Sequence, residues 1–231
     1  MSKSLKYILV LLLLLAVALE MVLPTVVSHL VAQGMVKVTQ SDNVTATLEK
    51  RPAFLMLGGS FDGVQLAASN VKTGRIAFHE MQVNLQQVQL NMGKLISQRQ
   101  VEFQKLGDIQ VRTVITQEEI ARYLNQSVKG IKNAQVTITP EKVRAASGFS
   151  LGGFMNVNIG LEGHIAGDGQ RIKFVTERFF VNNLQTGSIS GATLTEIPLV
   201  DLNKLPFQVG VRSIVLEEGR VILHLDNRQT L

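Results

Sequence analysis

An apolar run near the amino terminus constrains this chain more than any other feature. Tyr7 to Leu19 is unbroken apolar sequence, thirteen residues long. Lys3 and Lys6 precede it, Glu20 interrupts it, Met21 to Leu23 resume it, and Pro24 ends it. A basic start, a short apolar stretch and a stop form the layout of an export signal, and Ala16-Val17-Ala18 offers a small-residue cleavage site. Thirteen residues fall short of the roughly 20 that a bilayer span needs. Carrying the run through Glu20, near the interface, gives the rival reading of an uncleaved anchor. Both readings stay open. A buried core helix is disfavoured, because the run has no polar face to meet solvent. No later segment comes near a span. The expected organisation is therefore residues 1–23 as signal peptide or N-terminal membrane anchor and residues 24–231 as a single domain. That domain is expected to be extracytoplasmic, in a periplasm or on the outer face of the plasma membrane.

Composition removes several function classes. The chain has no Cys, which excludes a disulfide scaffold, a Cys-based zinc site, a thiol nucleophile and an iron–sulfur protein. Hydrophobic residues make up 45% of it, enough to build a core and argue against disorder. The formal charge is +5, from 23 Lys+Arg against 18 Asp+Glu. Cleavage after Ala18 would remove two of those cations and leave +3. Nucleic-acid binding wants a stronger and more clustered basic field, so no nucleic-acid partner is expected.

Beyond the run, Pro24 to Gly34 reads as a short helix, with Pro suited to a first turn and Gly to a stop. Val36 and Val38, then Val44, Ala46 and Leu48, alternate with polar neighbours as a half-buried strand does. Pro52 to Gly59 is apolar on every side and reads as a short buried helix or tight turn. Val64, Leu66 and Ala68 share a strand face. Ile76 and Phe78 begin a run that slips phase to Met81, Val83 and Leu85, and again to Val88 and Leu90. Such slips predict bulges, which bend and twist a sheet. The clearest strand carries Met155, Val157, Ile159, Leu161 and Ile165 on one face, with Asn156, Asn158, Glu162 and His164 on the other. Glu218-Gly219 and Asp168-Gly169 mark hairpin turns. Thr116 to Glu119 fits a capping box, with Thr116 as N-cap and Glu119 reaching back; Ile120, Ala121, Leu124 and Val128 follow at helical spacing, and Gly130 ends that helix. Weaker helices are predicted near Gly93 to Gln98 and Leu199 to Lys204. Six or more strands with a few helices make an α+β chain with a predominantly antiparallel sheet.

Catalytic signals are sparse. Gly148-Phe149-Ser150-Leu151-Gly152 matches the nucleophile-elbow motif, but that chemistry needs a strand, a sharp turn and then a helix. Here the clearest strand of the chain follows instead. His164 or His224, with Asp168 or Asp226, would have to complete a triad. A serine hydrolase using Ser150 is kept as a minor alternative to an ordinary glycine-rich hairpin. The four His residues lack metal-ligand spacing, and there is no phosphate loop or dinucleotide fingerprint, so no metal and no cofactor is expected. Arg122, Lys129, Lys132, Lys142 and Arg144 cluster in sequence and suit anionic lipid headgroups, but Glu118, Glu119 and Glu141 dilute them, favouring a solvated mixed surface.

Four pieces in order resemble a known family. They are the export segment running into Leu23-Pro24, the block Pro52-Ala53-Phe54-Leu55-Met56-Leu57-Gly58-Gly59, the strand-to-helix stretch Val111 to Asn125 (VRTVITQEEIARYLN), and Leu205-Pro206-Phe207 before the closing hairpin. Together they resemble the LmeA-like phospholipid-binding proteins, a family of exported bacterial proteins, over nearly everything from Pro24 onward. The resemblance implies a tubular, half-barrel-like fold in which a strongly twisted sheet curls around one or two helices. It also implies phospholipid binding in the cell envelope without a catalytic site. It transfers no lipid-contact residues. From the residues themselves, a bent sheet with one apolar face can hold acyl chains, each buried methylene contributing ~0.8 kcal/mol. The expected lining is Met81, Val83, Leu85, Val157, Ile159 and Leu161, with Phe54 and Leu57 closing one end. The same face read as dry core remains the competing account of each residue. At the level of function, the alternative is an envelope scaffold that binds protein partners along a sheet edge.

Overall fold

The computed structural model describes residues 3–41, 43–73, 76–127, 131–151, 155–182, 184–185, 196–205 and 207–228. It is α+β, with antiparallel sheets, one of them curled as a half-barrel. Helices α1 (Lys3–Thr39), α2 (Met92–Gln98) and α3 (Gln117–Ser127) accompany thirteen described strands. The first strands are β1 (Asn43–Glu49), β2 (Ser60–Thr73), β3 (Ile76–Leu90), β4 (Phe103–Lys105) and β5 (Ile109–Thr116). After α3 come β6 (Ile131–Ile138), β7 (Val143–Leu151), β8 (Met155–Asp168), β9 (Arg171–Val181) and β10 (Leu184–Gln185). The last are β11 (Glu196–Asp201), β12 (Gly210–Glu217) and β13 (Arg220–Asp226). One sheet runs β1-β2-β3-β5-β13-β12 with β4 on β3; the other runs β10-β9-β8-β7-β6 with β11 on β9. The chain divides into two compact units. Met1–Ala68 with Gln82–Ile109 form the first; Ser69–Met81 with Gln110–Leu231 form the second. Strands β2 and β3 contribute residues to both.

In the first unit, α1 is longer than the sequence pattern predicts. It runs unbroken through Pro24, and the strand expected from Val36 begins only at Asn43. The reason is a ladder at helical spacing. Val27, Val31, Met35 and Thr39 are all buried, four residues apart, and burial of that stripe overrides the local alternation of Val36 and Val38. The Thr39 hydroxyl donates to the Met35 carbonyl at 2.9 Å, and Gln40 turns left-handed at φ 49° to end the helix. The Ala53–Gly58 block is a 3-10 helix, as expected, but only Ala53 and Met56 are buried within it. It closes on Gly59 at φ 77°, where a Cβ would lie 2.2 Å from the Leu90 carbonyl oxygen, so only Gly fits. Helix α2 is where the sequence places it, with the Asn91 side chain accepting from the Lys94 amide at 3.2 Å.

The phase slips of β3 are real. Ile76, Phe78, Met81, Val83, Leu85, Val88 and Leu90 are all buried, and the paired exposed residues His79–Glu80 and Gln86–Gln87 mark the slips. At the second slip Gln87 adopts φ 52°, the conformation of a bulge residue.

In the second unit, α3 starts where β5 ends. Thr116 Oγ1 accepts from the Glu119 amide at 3.4 Å, and the Gln117 amide donates to the Gly219 carbonyl at 3.0 Å. The Glu119 carboxylate is taken by Arg122, at 2.7 and 2.6 Å, rather than by the cap residue. Val128 and Gly130, expected to finish this helix, lie outside the described residues. Both hairpin turns form: Gly219 has φ 74° between Glu217 and Arg220, and Gly169 has φ 64° between Asp168 and Arg171. The helix expected over Leu199–Lys204 is instead the end of β11 and a one-turn 3-10 helix, Leu202–Lys204. Leu199, Val200 and Leu202 are buried there, and pairing with β9 holds the first part extended.

Candidate functional site

Six of the eight predicted lipid-lining residues lie on two strands. In the second unit, β8 sits at the centre of its sheet, between β7 and β9. Residues directly opposite one another in neighbouring antiparallel strands share a face. Leu161 pairs with Ala145 on one side and Phe179 on the other; Ile159 pairs with Ser147 and Val181. Farther along, Ala145 pairs with Val136, and Val143 with Ile138. The result is one continuous apolar face across four strands. Val157 pairs with Phe149 beyond Ile159, but both side chains lie outside the described residues.

That face is graded. Ile138 and Val143 are sealed, at 0% and 1% exposure, and Val136, Ala145 and Leu161 are buried. Ile159, Phe179 and Val181 are only half-buried. Helix α3 packs on β6 through its own buried residues Ile120, Tyr123 and Leu124. The Asn125 side chain accepts from the Ala134 amide at 2.9 Å, and the Tyr123 hydroxyl donates to the Pro198 carbonyl of β11. Phe179 and Val181 escaped the sequence reading. Their alternation was visible, but Ile172 and Phe174 lie in the opposite phase because the β8–β9 register shifts between Glu162 and Gly163. Gly163 allows that shift, since a Cβ there would lie 1.9 Å from the Val175 carbonyl oxygen.

The reverse side of the same sheet is charged. Arg144, Glu162 and Arg178 stand opposite one another on β7, β8 and β9. The buried Glu162 carboxylate meets Arg178 Nη1 at 3.2 Å and Lys142 Nζ at 3.1 Å, and the Arg144 guanidinium sits 5.1 Å from the Phe180 ring centre. Two cations, Lys142 and Arg178, reach this one carboxylate, and that pairing is what lets Glu162 be buried. Of the other basic residues read from the sequence, Arg122 is held by Glu119, Lys132 is exposed, and Lys129 lies outside the described residues.

On β3, Met81 belongs to the second unit and Val83 and Leu85 to the first; all three are buried on one face of the strand. Phe54 and Leu57 differ. They are 53% and 57% exposed on the 3-10 helix, so any lipid they touch meets them on the outside of the protein.

The Ser150 motif lies on a strand. Ser150 is in β7, opposite Asn156 of the adjacent antiparallel strand β8. Gly152 to Phe154 lie outside the described residues. His164 Nδ1 is 2.7 Å from Glu177, and Asp226 is engaged by Arg212 at 2.7 Å.

Resolved carboxylate shifts are local. The Glu118 carboxyl is held below its usual range by a hydrogen bond from its own backbone amide, then by the Thr116 hydroxyl and the Gln117 amide, as suits a helix N-terminus. Lys50 lowers Asp62, and Lys94 then Asn91 lower Glu102. Glu196 raises Lys173.

Compared with curated proteins and with solved structures, the chain matches none. The family described as LmeA-like phospholipid-binding matches residues 18–226. A match over nearly the whole chain, over elements that carry a graded apolar sheet face, shows that the protein belongs to the LmeA-like phospholipid-binding family.

Proposed function

We propose that this is a non-catalytic, extracytoplasmic phospholipid-binding protein that carries or presents lipid at the outer face of the plasma membrane. The observation that carries the reading is the graded face of β6–β9 in a member of a phospholipid-binding family. Its sealed end behaves as core, and its half-open end, Ile159, Phe179 and Val181, offers apolar surface for an acyl chain. Met81, Val83 and Leu85 of β3 are 5%, 3% and 1% exposed, so by the same measure they act as core, as Leu161 does, and the half-open end of β8 and β9 is the lining this reading relies on. Lys3 and Lys6 ahead of the apolar run support a cytoplasmic amino terminus by the positive-inside rule, and so a folded part on the outside.

The test is native mass spectrometry with lipid extraction on the full chain, purified in a non-lipid detergent. A diacyl phospholipid should accompany the wild-type protein and be lost from Ile159→Asn, while circular dichroism shows the fold retained. A well-folded wild-type protein free of lipid, with no uptake from liposomes, would sink this reading. It would favour a scaffold working through a sheet edge.

A further inference from the structure

The unbroken run Tyr7 to Leu19 is by itself shorter than a bilayer core, although the helix that contains it is long and apolar enough to cross one. Tyr7 to Leu19 rises ~20 Å along a helix, whereas the hydrocarbon core is ~30 Å thick. About 10 Å of hydrocarbon would then lie at the level of Glu20 and the turn or two beyond it. On α1 itself that level is still apolar and uncovered: Met21 is 74% exposed, Val22 57% and Val26 48%. Leu23 and Pro24 between them are half-buried, and the next residue, Val27, is 2% exposed, so full packing on the protein begins there.

A second element of the first unit stands at the same level. The Ala53 amide donates to Glu20 Oε2 at 2.8 Å, tying the start of the 3-10 helix to the residue where the apolar run breaks. Ala53 and Met56 are sealed, at 1% and 0% exposure, and hold this turn on the protein. Its other large side chains face out: Phe54 at 53%, Leu55 at 40% and Leu57 at 57%. Scattered exposed apolar residues are ordinary, but three within four positions, beside an uncovered apolar helix, form one patch. Arg51 is exposed just ahead of the turn, a cation of the kind that pairs with lipid phosphates. Glu20 is the polar residue that such a location would otherwise penalise. Its bond to Ala53 gives the carboxylate a partner within the protein.

We infer that the Ala53–Gly58 turn inserts Phe54, Leu55 and Leu57 into the outer leaflet beside α1, adding to the apolar surface that Met21, Val22 and Val26 present beyond the Tyr7–Leu19 run. The occupant of this patch is the acyl region of the bilayer in which α1 is embedded. The inference rests on the reading of α1 as a retained span. It deepens the proposed function by fixing the part of the surface that touches the lipid source. An insertion of ~5–10 Å is the depth reached by amphipathic elements that lie in an interface.

The chain has no Cys, so single-cysteine variants take one label each. The full-length protein is reconstituted in phosphatidylcholine–phosphatidylglycerol vesicles after intact mass confirms its amino terminus. An environment-sensitive fluorophore is placed at Leu13→Cys, Phe54→Cys, Leu57→Cys or Lys37→Cys. Brominated-chain phosphatidylcholine serves as the quencher. Labels at 54 and 57 should be blue-shifted and quenched about as strongly as the label at 13. The label at Lys37, ~26 Å farther along the same helix than Glu20, should stay water-like. Adding Glu20→Ala should weaken quenching at 57 and leave 13 unchanged. Quenching at 13 without quenching at 54 or 57 overturns the insertion while the span stands. Loss of the amino terminus by cleavage, or no quenching at 13, overturns span and insertion together. Lipid binding itself is read separately, by the extraction experiment, so its failure cannot be confused with either.

Discussion

Leu161 and Ile159 sit two residues apart on one strand and on one face, yet they do different work. Leu161 lies between Ala145 and Phe179 and is 4% exposed; Ile159 lies between Ser147 and Val181 and is half-buried. The chemistry of the two side chains is nearly the same. What differs is how far along the sheet each lies from the sealed end at Ile138 and Val143. An apolar stripe therefore has no single environment: one part of it is sealed as core, and the other is left half-covered, which is the part the proposed function assigns to lipid.

The comparison breaks most visibly at its sealed end. Leu161→Ala should lower unfolding stability by ~2–5 kcal/mol, as deletion of a buried leucine does, read as a drop in the urea midpoint. Near-zero loss there would mean that the face is open throughout. Gly163→Ala should cost ~1–3 kcal/mol, because the added methyl meets the Val175 carbonyl and β9 must move beside its bulge at Glu177; thermal unfolding reads it. Ile159→Asn should cost only about 1 kcal/mol while abolishing lipid co-purification. If it unfolds the protein as Leu161→Ala does, the open end is core as well. Thr116→Ala removes the α3 cap and should cost ~1 kcal/mol with lipid content unchanged, since α3 packs on the sealed side of the sheet at β6. The smallest effect is one of pH. Glu118 has a lowered carboxyl pKa in the folded state, so its stabilisation is full above the unfolded carboxylate range. That stabilisation is lost as pH falls through the folded value. Glu118→Gln should flatten that acid limb and leave stability at neutral pH slightly lower, by denaturant titration across pH.

Much of this is legible in the sequence. The two phase slips of β3 could be read from Ile76 to Leu90, because each buried side chain has to reach the same side of the sheet, and an extra residue must bulge out to allow it. The hairpins at Gly169 and Gly219 and the Thr116 cap were legible for the same kind of reason: few residue types satisfy those local geometries. Helix α1 was not. Val36 and Val38 alternate like a strand, and only the packed ladder Val27–Val31–Met35–Thr39 reveals a helix that continues past them. The one-turn helix at Leu202 was overestimated for the converse reason, since strand pairing with β9 claims Glu196 to Asp201 first.

The same division runs through the candidate site. Sequence alone determined an apolar amino-terminal run, an antiparallel α+β chain, the face shared by Ile159 and Leu161, and the family. The first three follow from periodicity and turn chemistry, which are properties of neighbouring residues, whereas the family follows from the resemblance of whole motifs taken in order. Tertiary structure alone decided that this face grades from sealed to half-open, that Phe179 and Val181 belong to it, and that Phe54 and Leu57 point outward beside Glu20. Hydrophobicity sets how strongly a side chain avoids water, but only the partners brought from distant strands decide whether protein or something else covers it.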